Sequence, residues 1–183
     1  MSRIISIPNI LTLLRIVITP VIVYAILQGE AKLALLLMVA AGFTDMLDGL
    51  IARYFNQRTT VGAYLDPLAD KLMLISMFVT LYAIDHLPLF LFLAVIFRDA
   101  VIVIGAVAYE MVTRNLKMEP SYISKATTFA QIVLVVVILL DMAWPLHMDL
   151  IPAAIWATFI LTCLSGLHYM WAWTRKAARS EAG

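Results

Sequence analysis

Charged residues and cysteine are both scarce in this sequence of 183 residues. Lys, Arg, Asp and Glu together make up 14% of the chain, whereas a typical soluble domain has about 25%. The net charge of +1 creates no global field that would attract nucleic acid, so we expect no nucleic-acid partner. The single Cys163 excludes an intrachain disulfide framework.

Hydrophobic residues are abundant and make up 63% of the chain. A membrane-spanning helix needs about 20 predominantly apolar residues, and six segments meet this requirement. They cover, to within about a few residues, positions 8–28, 32–55, 62–84, 87–112, 123–141 and 151–173. We therefore expect an all-α integral membrane protein, a bundle of six transmembrane helices that forms a single domain over residues 1–183.

The positive charges lie at one set of predicted helix ends, and this asymmetry sets the orientation. The basic ends hold Arg3, Arg53, Arg58, Arg114, Lys117, Arg175, Lys176 and Arg179, whereas the opposite ends hold only Lys32 beside Glu30, Asp85, Asp141 and Asp149. Basic loops face the cytoplasm, and six spans place both termini on that side. No signal or import sequence is visible, so we expect a multi-pass protein of the bacterial inner membrane.

Four aspartates interrupt the second and third predicted spans. On the second span, Asp45, Asp48, Gly49 and Ala52 follow the spacing i, i+3, i+4, i+7, and on the third span Gly62, Asp66 and Asp70 follow i, i+4, i+8. Each set lies on one face of its helix. A short basic loop joins the two spans, which are therefore antiparallel neighbours. We expect the two acidic faces to converge near the cytoplasmic surface, between helices 2 and 3.

Carboxylates inside a membrane need compensation, since each costs about 2.5–3.5 kcal/mol at mid-bilayer. Oxygen ligands of this kind select hard cations such as Mg²⁺ or Mn²⁺. Four carboxylates suit a pair of divalent ions that clamps a phosphoryl-type displacement, and a spare aspartate can accept a proton from an attacking hydroxyl. Arg53 and Arg58 lie at the same end and can hold phosphate oxygens. The alternatives are structural ion pairs or a proton or ion pathway.

These residues together spell D-x2-D-G-x2-A-R-x8-G-x3-D-x3-D, from Asp45 to Asp70. This pattern resembles the signature of the CDP-alcohol phosphatidyltransferases, and the six-span plan agrees with that family over the rest of the chain. The resemblance implies transfer of a phosphatidyl group from CDP-diacylglycerol to an alcohol, with release of CMP. It also implies a homodimer.

The resemblance assigns roles to individual residues. It implies that Asp45, Asp48, Asp66 and Asp70 ligate two divalent ions, Mg²⁺ or Mn²⁺, and that Asp70 is the catalytic base. It places the CDP moiety against Asp45, Gly49, Ala52, Arg53, Gly62 and Asp66.

The acceptor alcohol must be inferred from residues outside the motif. Family members that use glycerol-3-phosphate typically carry a second Arg about two turns after the first, but here the position two turns after Arg98 is Ala106. Such members also show Gly-Lys at the start of the fifth span, where this chain has Ser124-Lys125. The stretch "PSYISKATTFAQ" resembles CDP-alcohol-type cardiolipin synthases. We therefore favour phosphatidylglycerol as the acceptor and keep glycerol-3-phosphate as the alternative, with inositol- or serine-using relatives behind it.

Four basic residues are candidate contacts of the acceptor or of phosphate: Arg98, Lys125, Arg58 and Arg15. Arg15 lies below the membrane surface in "PNILTLLR" and therefore needs a partner. It can approach the metal or nucleotide site, and a packing or snorkelling role fits equally well. Arg98 lies deeper in its helix next to Asp99, which allows either a structural pair or a phosphate contact.

Two other functions stay open for the whole chain, a small ion transporter and a non-catalytic scaffold.

Overall fold

The computed structural model describes the backbone of residues 7–54, 60–113, 122–145 and 149–180, and the side chains of most of them. Within these ranges every regular element is an α-helix. The helices are α1 Ile7–Leu27, α2 Ala31–Tyr54, α3 Thr60–Ala83, α4 Leu89–Thr113, α5 Tyr122–Ala143 and α6 Leu150–Ser180. Over the described residues, the prediction of an all-α chain with six helices is confirmed, and the bundle of six transmembrane spans stays a prediction. Helix α6 continues beyond its predicted end, because Arg, Lys and Ala in its last turns favour helix.

Two helices end in the same turn geometry, built by different residues. After α1, Gly29 has a φ of 77°, and Glu30 donates its backbone N–H to the carbonyl of Ala25 at 2.9 Å. After α3, Asp85 has a φ of 60°, and His86 donates in the same way to Leu81 at 2.9 Å. Both are Schellman-type ends, in which a left-handed residue lets the chain satisfy the last carbonyls of the helix. These turns fix where the next helix begins.

The chain divides into two compact units, and the first contains α1, α2, α3 and the end of α5 from Val135. Helix α1 packs against both α2 and α3. Its packed face is a stripe of buried residues at helical spacing: Thr12, Arg15, Thr19, Ile22, Ala25 and Ile26. The first three residues of the stripe, Thr12 to Thr19, are polar and the last three are apolar, and we call the part of α1 up to Thr19 its polar half. Helix α1 therefore presents hydrogen-bonding groups to α2 and α3 at one end only.

The second unit contains α4, the first part of α5 up to Leu134, and α6. Helix α4 packs along α6. An aromatic cluster joins them at one end, where the ring of Phe90 stacks on Trp156 at 5.0 Å and meets Phe159 edge-on at 5.1 Å. Further along, α4 and α6 meet through buried polar groups. This unit therefore also has one aromatic and one polar region along its length.

Large apolar side chains lie exposed on the outside of the helices, as in a protein whose surroundings are lipid. Examples are Val17, Leu36, Phe97 and Trp171, each more than half exposed. Among the described residues, three stretches are long and apolar enough to cross a membrane: Ile10–Leu27, Tyr122–Ala143 and Leu150–Trp171. These features indicate a membrane protein.

Candidate active site

Arg15 is the centre of a polar contact network in the first unit. Its side chain is only 2% exposed. Nη2 of its guanidinium forms an ion pair with Oδ1 of Asp45 in α2. Nη1 donates a hydrogen bond to Oδ1 of Asp70 in α3 at 2.5 Å. One buried cation thus joins a carboxylate from each of the two helices that the sequence predicts to be neighbours.

Thr12 lies one turn before Arg15 on the same face of α1. Its hydroxyl donates a hydrogen bond to Oδ1 of Asp66 at 2.5 Å. Three of the aspartates in the motif are therefore brought to the polar half of α1: Asp45, Asp66 and Asp70. The sequence places these acids on α2 and α3, and the structure adds the helix that connects them.

The remaining residues of the motif fall outside the described side chains. They are Asp48, Gly49, Ala52 and Arg53 on α2 and Gly62 on α3, and Arg58 lies in the segment between the two helices. Their predicted roles stay predictions.

The donor set at this site suits a hard divalent cation. Carboxylate oxygens are the ligands that Mg²⁺ and Mn²⁺ prefer. Asp45 and Asp70 already share one cation, the Arg15 guanidinium, and their side chains are 43% and 51% exposed. Among the side chains that the structure describes, which omit Asp48, no three acids, histidines or cysteines lie as close together as a metal site requires. The residues fit a metal by chemistry, and the ligand geometry stays a prediction.

Arg98 forms a second buried network, in the other unit. Its side chain is 2% exposed. Nε and Nη2 donate to Oγ of Ser165 in α6 at 3.3 and 3.2 Å, and Nη2 also donates to Oγ of Ser124 in α5 at 2.5 Å. Nη1 pairs with Oδ1 of Asp99 at 2.6 Å. Arg98 therefore connects α4, α5 and α6, and the structural pair with Asp99 that the sequence allowed is present.

A seam of hydroxyl and amide groups continues this network between α5 and α6. Thr127 donates to the backbone carbonyl of Leu161 at 3.1 Å, and Nε2 of Gln131 donates to Oγ1 of Thr162 at 3.4 Å. Sequence reasoning missed this seam. Its signal is the spacing i, i+4, i+7 of the α6 polar residues, Thr158, Thr162 and Ser165, all of which are buried.

Lys125, another candidate contact of phosphate, has an exposed side chain at the start of α5. Its Nζ lies 5.8 Å from the centre of the Tyr122 ring, within the range of a cation–π contact.

Comparison with known proteins agrees with the motif. Residues 5–168 match the profile of the CDP-alcohol phosphatidyltransferases. The chain belongs to this family. The match includes all four aspartates as well as Thr12, Arg15 and the Arg98 network, so both polar networks lie within the family's domain.

Among its relatives, the chain is 42% identical over 120 residues to a Drosophila melanogaster protein named "Probable cardiolipin synthase (CMP-forming)". It is 38% identical over 147 residues to the human cardiolipin synthase (CMP-forming). It is 31% identical over 175 residues to a Mycobacterium tuberculosis protein named "Probable phosphatidylglycerophosphate synthase".

These similarities cover different shares of each protein. The fly match covers 65% of this chain and 36% of the relative, and the human match covers 71% and 48%. The chain thus spans less than half the length of these two proteins. The mycobacterial match covers 92% of this chain and 82% of the relative. The matches agree on the family, but the relatives are named for two different reactions, cardiolipin synthesis and phosphatidylglycerophosphate synthesis.

Proposed function

We propose that this protein transfers the phosphatidyl group of CDP-diacylglycerol to a glycerol-type hydroxyl and releases CMP, a step of phospholipid biosynthesis. Family membership supports the reaction class. The observation that carries the proposal is that Arg15 contacts both Asp45 and Asp70. Asp66 accepts a hydrogen bond from Thr12, one turn before Arg15 in α1.

Two divalent ions, Mg²⁺ or Mn²⁺, are the proposed cofactors, held by Asp45, Asp48, Asp66 and Asp70. When bound, they supply electrostatic stabilisation of the diphosphate and of the CMP leaving group. The CDP moiety is proposed to bind against Asp45, Gly49, Ala52, Arg53, Gly62 and Asp66, where the small residues leave room for the nucleotide.

Asp70 is the proposed catalytic base. Its carboxylate accepts the proton of the acceptor hydroxyl, whose oxygen forms a new bond to the phosphorus that carries the diacylglycerol. The bond from that phosphorus to the bridging oxygen breaks, and CMP leaves with the electron pair. Asp70 then releases its proton to water. Its side chain is 51% exposed, so an acceptor can reach it without a rearrangement of the helix.

Phosphatidylglycerol is the favoured acceptor. Glycerol-3-phosphate carries a terminal phosphate that needs a free cationic grip, whereas the glycerol end of phosphatidylglycerol has none. Arg98 is buried, and its guanidinium donates to Ser124, Ser165 and Asp99. A phosphate could bind it only by displacing these partners. The fly and human relatives named as cardiolipin synthases agree with this choice.

Glycerol-3-phosphate is the second candidate. The mycobacterial relative, named "Probable phosphatidylglycerophosphate synthase", matches 92% of this chain. In this case Lys125, Arg58, Arg15 or Arg98 would contact the phosphate.

The arrangement in the membrane is proposed from the sequence. All six helices span, both termini face the cytoplasm of a bacterial cell, residues 1–183 act as one domain, and two copies form a dimer. The three stretches apolar enough to span and the exposed apolar side chains support the membrane location.

The test supplies purified protein with CDP-diacylglycerol, Mg²⁺ and one acceptor at a time. CMP release with phosphatidylglycerol and formation of cardiolipin are the expected results. Labelled product found only as phosphatidylglycerophosphate would establish the second candidate instead. Ion flux through liposomes that contain the protein but no CDP-lipid would support a transporter. No CMP release with any acceptor in the presence of Mg²⁺ would overturn the enzymatic function, and undiminished CMP release after chelation would overturn the metal dependence.

A further inference from the structure

We propose that Arg15 holds the carboxylates of Asp45 and Asp70 together when no metal ion is bound, and that its guanidinium competes with the metal for them. Arg15 is thus a positioning residue that keeps the acids of α2 and α3 gathered before loading. The inference rests on the proposed function, because it assumes that these aspartates bind metal.

The first support is the burial of Arg15. Its side chain is 2% exposed, and a guanidinium removed from water is costly unless it is paired. Its two terminal nitrogens contact one carboxylate from each helix, Asp45 in α2 and Asp70 in α3. A residue that served only to pack α1 against one neighbour could take both partners from the same helix. Arg15 instead bridges two helices with the two arms of its planar fork.

The second support is the balance of charge. Asp45, Asp66 and Asp70 bring three negative charges to the polar half of α1, and Arg15 brings one positive charge. Among these four described side chains, the guanidinium therefore offsets only part of the repulsion between the acids. The remaining negative charge favours entry of a divalent ion.

The third support is the identity of the atoms involved. Nη1 and Nη2 each contact an Oδ1 atom of a predicted metal ligand. A carboxylate oxygen turned toward a guanidinium cannot donate the same electron pair to a metal. Loading therefore either moves the guanidinium away from one of the two carboxylates or leaves the metal only their remaining oxygen lone pairs. In both cases Arg15 lowers the metal affinity while it stabilises the metal-free fold.

The experiment measures metal binding and stability, not turnover. Wild-type protein, Arg15→Gln and Arg15→Lys are purified in detergent, and Tm is measured in EDTA and in excess Mg²⁺. The affinity for Mn²⁺ is measured by electron paramagnetic resonance. Lys32→Gln is the matched control, because Lys32 is exposed and basic, contacts the Trp144 ring at 5.5 Å, and lies at the start of α2, about three and a half turns before Asp45.

Arg15→Gln should lower Tm in EDTA, and excess Mg²⁺ should restore most of the loss. Its Mn²⁺ affinity should rise at least about fivefold, the lower end of the range that is typical when one binding interaction is energetically coupled to another. Arg15→Lys keeps the charge but loses the two-armed fork, so both effects should be smaller. Lys32→Gln should change neither the metal-dependent gain in Tm nor the affinity for Mn²⁺.

An equal loss of Tm for Arg15→Gln with and without metal, together with unchanged or weaker Mn²⁺ binding, would show a purely structural role and overturn the inference. If Arg15→Gln does not fold, Arg15→Lys decides: wild-type values for both Tm in EDTA and Mn²⁺ affinity would be equally adverse. Wild-type protein that binds no Mn²⁺ would overturn the metal-dependent function as well. The two failures are thereby distinguished.

Discussion

The hydroxyl of Thr12 in α1 donates a hydrogen bond to Asp66 in α3, at 2.5 Å and across 54 positions of the chain. Thr12 is fully buried, and it shares its helical face with Arg15. The first helix, which carries no acidic residue, thus orients an acid that is predicted to bind both metal and nucleotide. Hydrogen bonds of this kind fix the direction in which a ligand carboxylate points.

Thr12→Val keeps the shape of the side chain and removes its donor. Because the bond is to a charged group, its loss should cost about 1.5–3 kcal/mol of stability, and Mn²⁺ affinity should fall by about 10–100-fold. Thermal unfolding and Mn²⁺ titration measure the two effects. Thr80→Val is the control, since Thr80 is also buried in the same unit and its hydroxyl donates to the carbonyl of Ser76 in its own helix. Equal Mn²⁺ affinities in the two variants would contradict the role of Thr12.

Asp70→Asn tests the catalytic base. Asparagine keeps the size of the side chain and an oxygen that can accept the Arg15 hydrogen bond, so the fold should survive. Asparagine cannot take the acceptor's proton, and CMP release should fall by about 10²–10⁴-fold. The control is Asp85→Asn at the exposed end of α3, where a φ of 60° is tolerated by asparagine. Most of the activity remaining in Asp70→Asn would exclude Asp70 as the base.

The acidic faces could be predicted because helical spacing alone places each set of aspartates on one side of its helix. The sequence also predicted six helices, with nearly the observed bounds except at the end of α6. The partner of Arg15 could not be predicted, because the spacing within α1 does not tell which face of which neighbour it meets. For that reason a phosphate contact, a snorkelling role and a site role were equally consistent with the sequence.

The sequence allowed the pair of Arg98 with Asp99, but the rest of the Arg98 network could not be predicted, for a related reason. Its partners, Ser124 and Ser165, lie on two other helices, far along the chain. Serine is small and common in apolar helices, so its position on α6 carries little signal without the buried threonines that precede it. Packing of three helices around one side chain is what gives these residues their role.

Ser165→Ala removes the acceptor of two hydrogen bonds from Arg98. A hydrogen bond between membrane helices is worth about 0.6 kcal/mol on average and up to about 1.7 kcal/mol. The two bonds to Ser165 come from a buried charged group, the Arg98 guanidinium. We therefore expect a loss of about 1–2 kcal/mol in the free energy of unfolding. Ser76→Ala is the matched control, because the Ser76 hydroxyl donates to a carbonyl of its own helix, that of Leu72. Unfolding in a denaturing detergent measures both, and equal losses would show that Arg98 does not depend on Ser165.

Gly166, the neighbour of Ser165, tests how tightly the Arg98 network is packed. A Cβ atom built at Gly166 would lie 3.8 Å from Cγ and 3.9 Å from Cβ of Arg98, which is ordinary van der Waals contact. Gly166→Ala should therefore fit without moving the guanidinium. Since alanine loses less backbone entropy in a helix than glycine, the free energy of unfolding should rise, by up to about 1 kcal/mol.

Gly42→Ala is the control for this substitution, because a Cβ there would meet nothing within 4 Å. It should give the same propensity gain without the contact to Arg98. Unfolding of both variants in parallel separates the two contributions. A clear loss of stability in Gly166→Ala, with a gain in Gly42→Ala, would mean that α4 and α6 approach more closely than these distances indicate. In that case the position of the Arg98 guanidinium would depend on the absence of a side chain at Gly166 as well as on its hydrogen bonds.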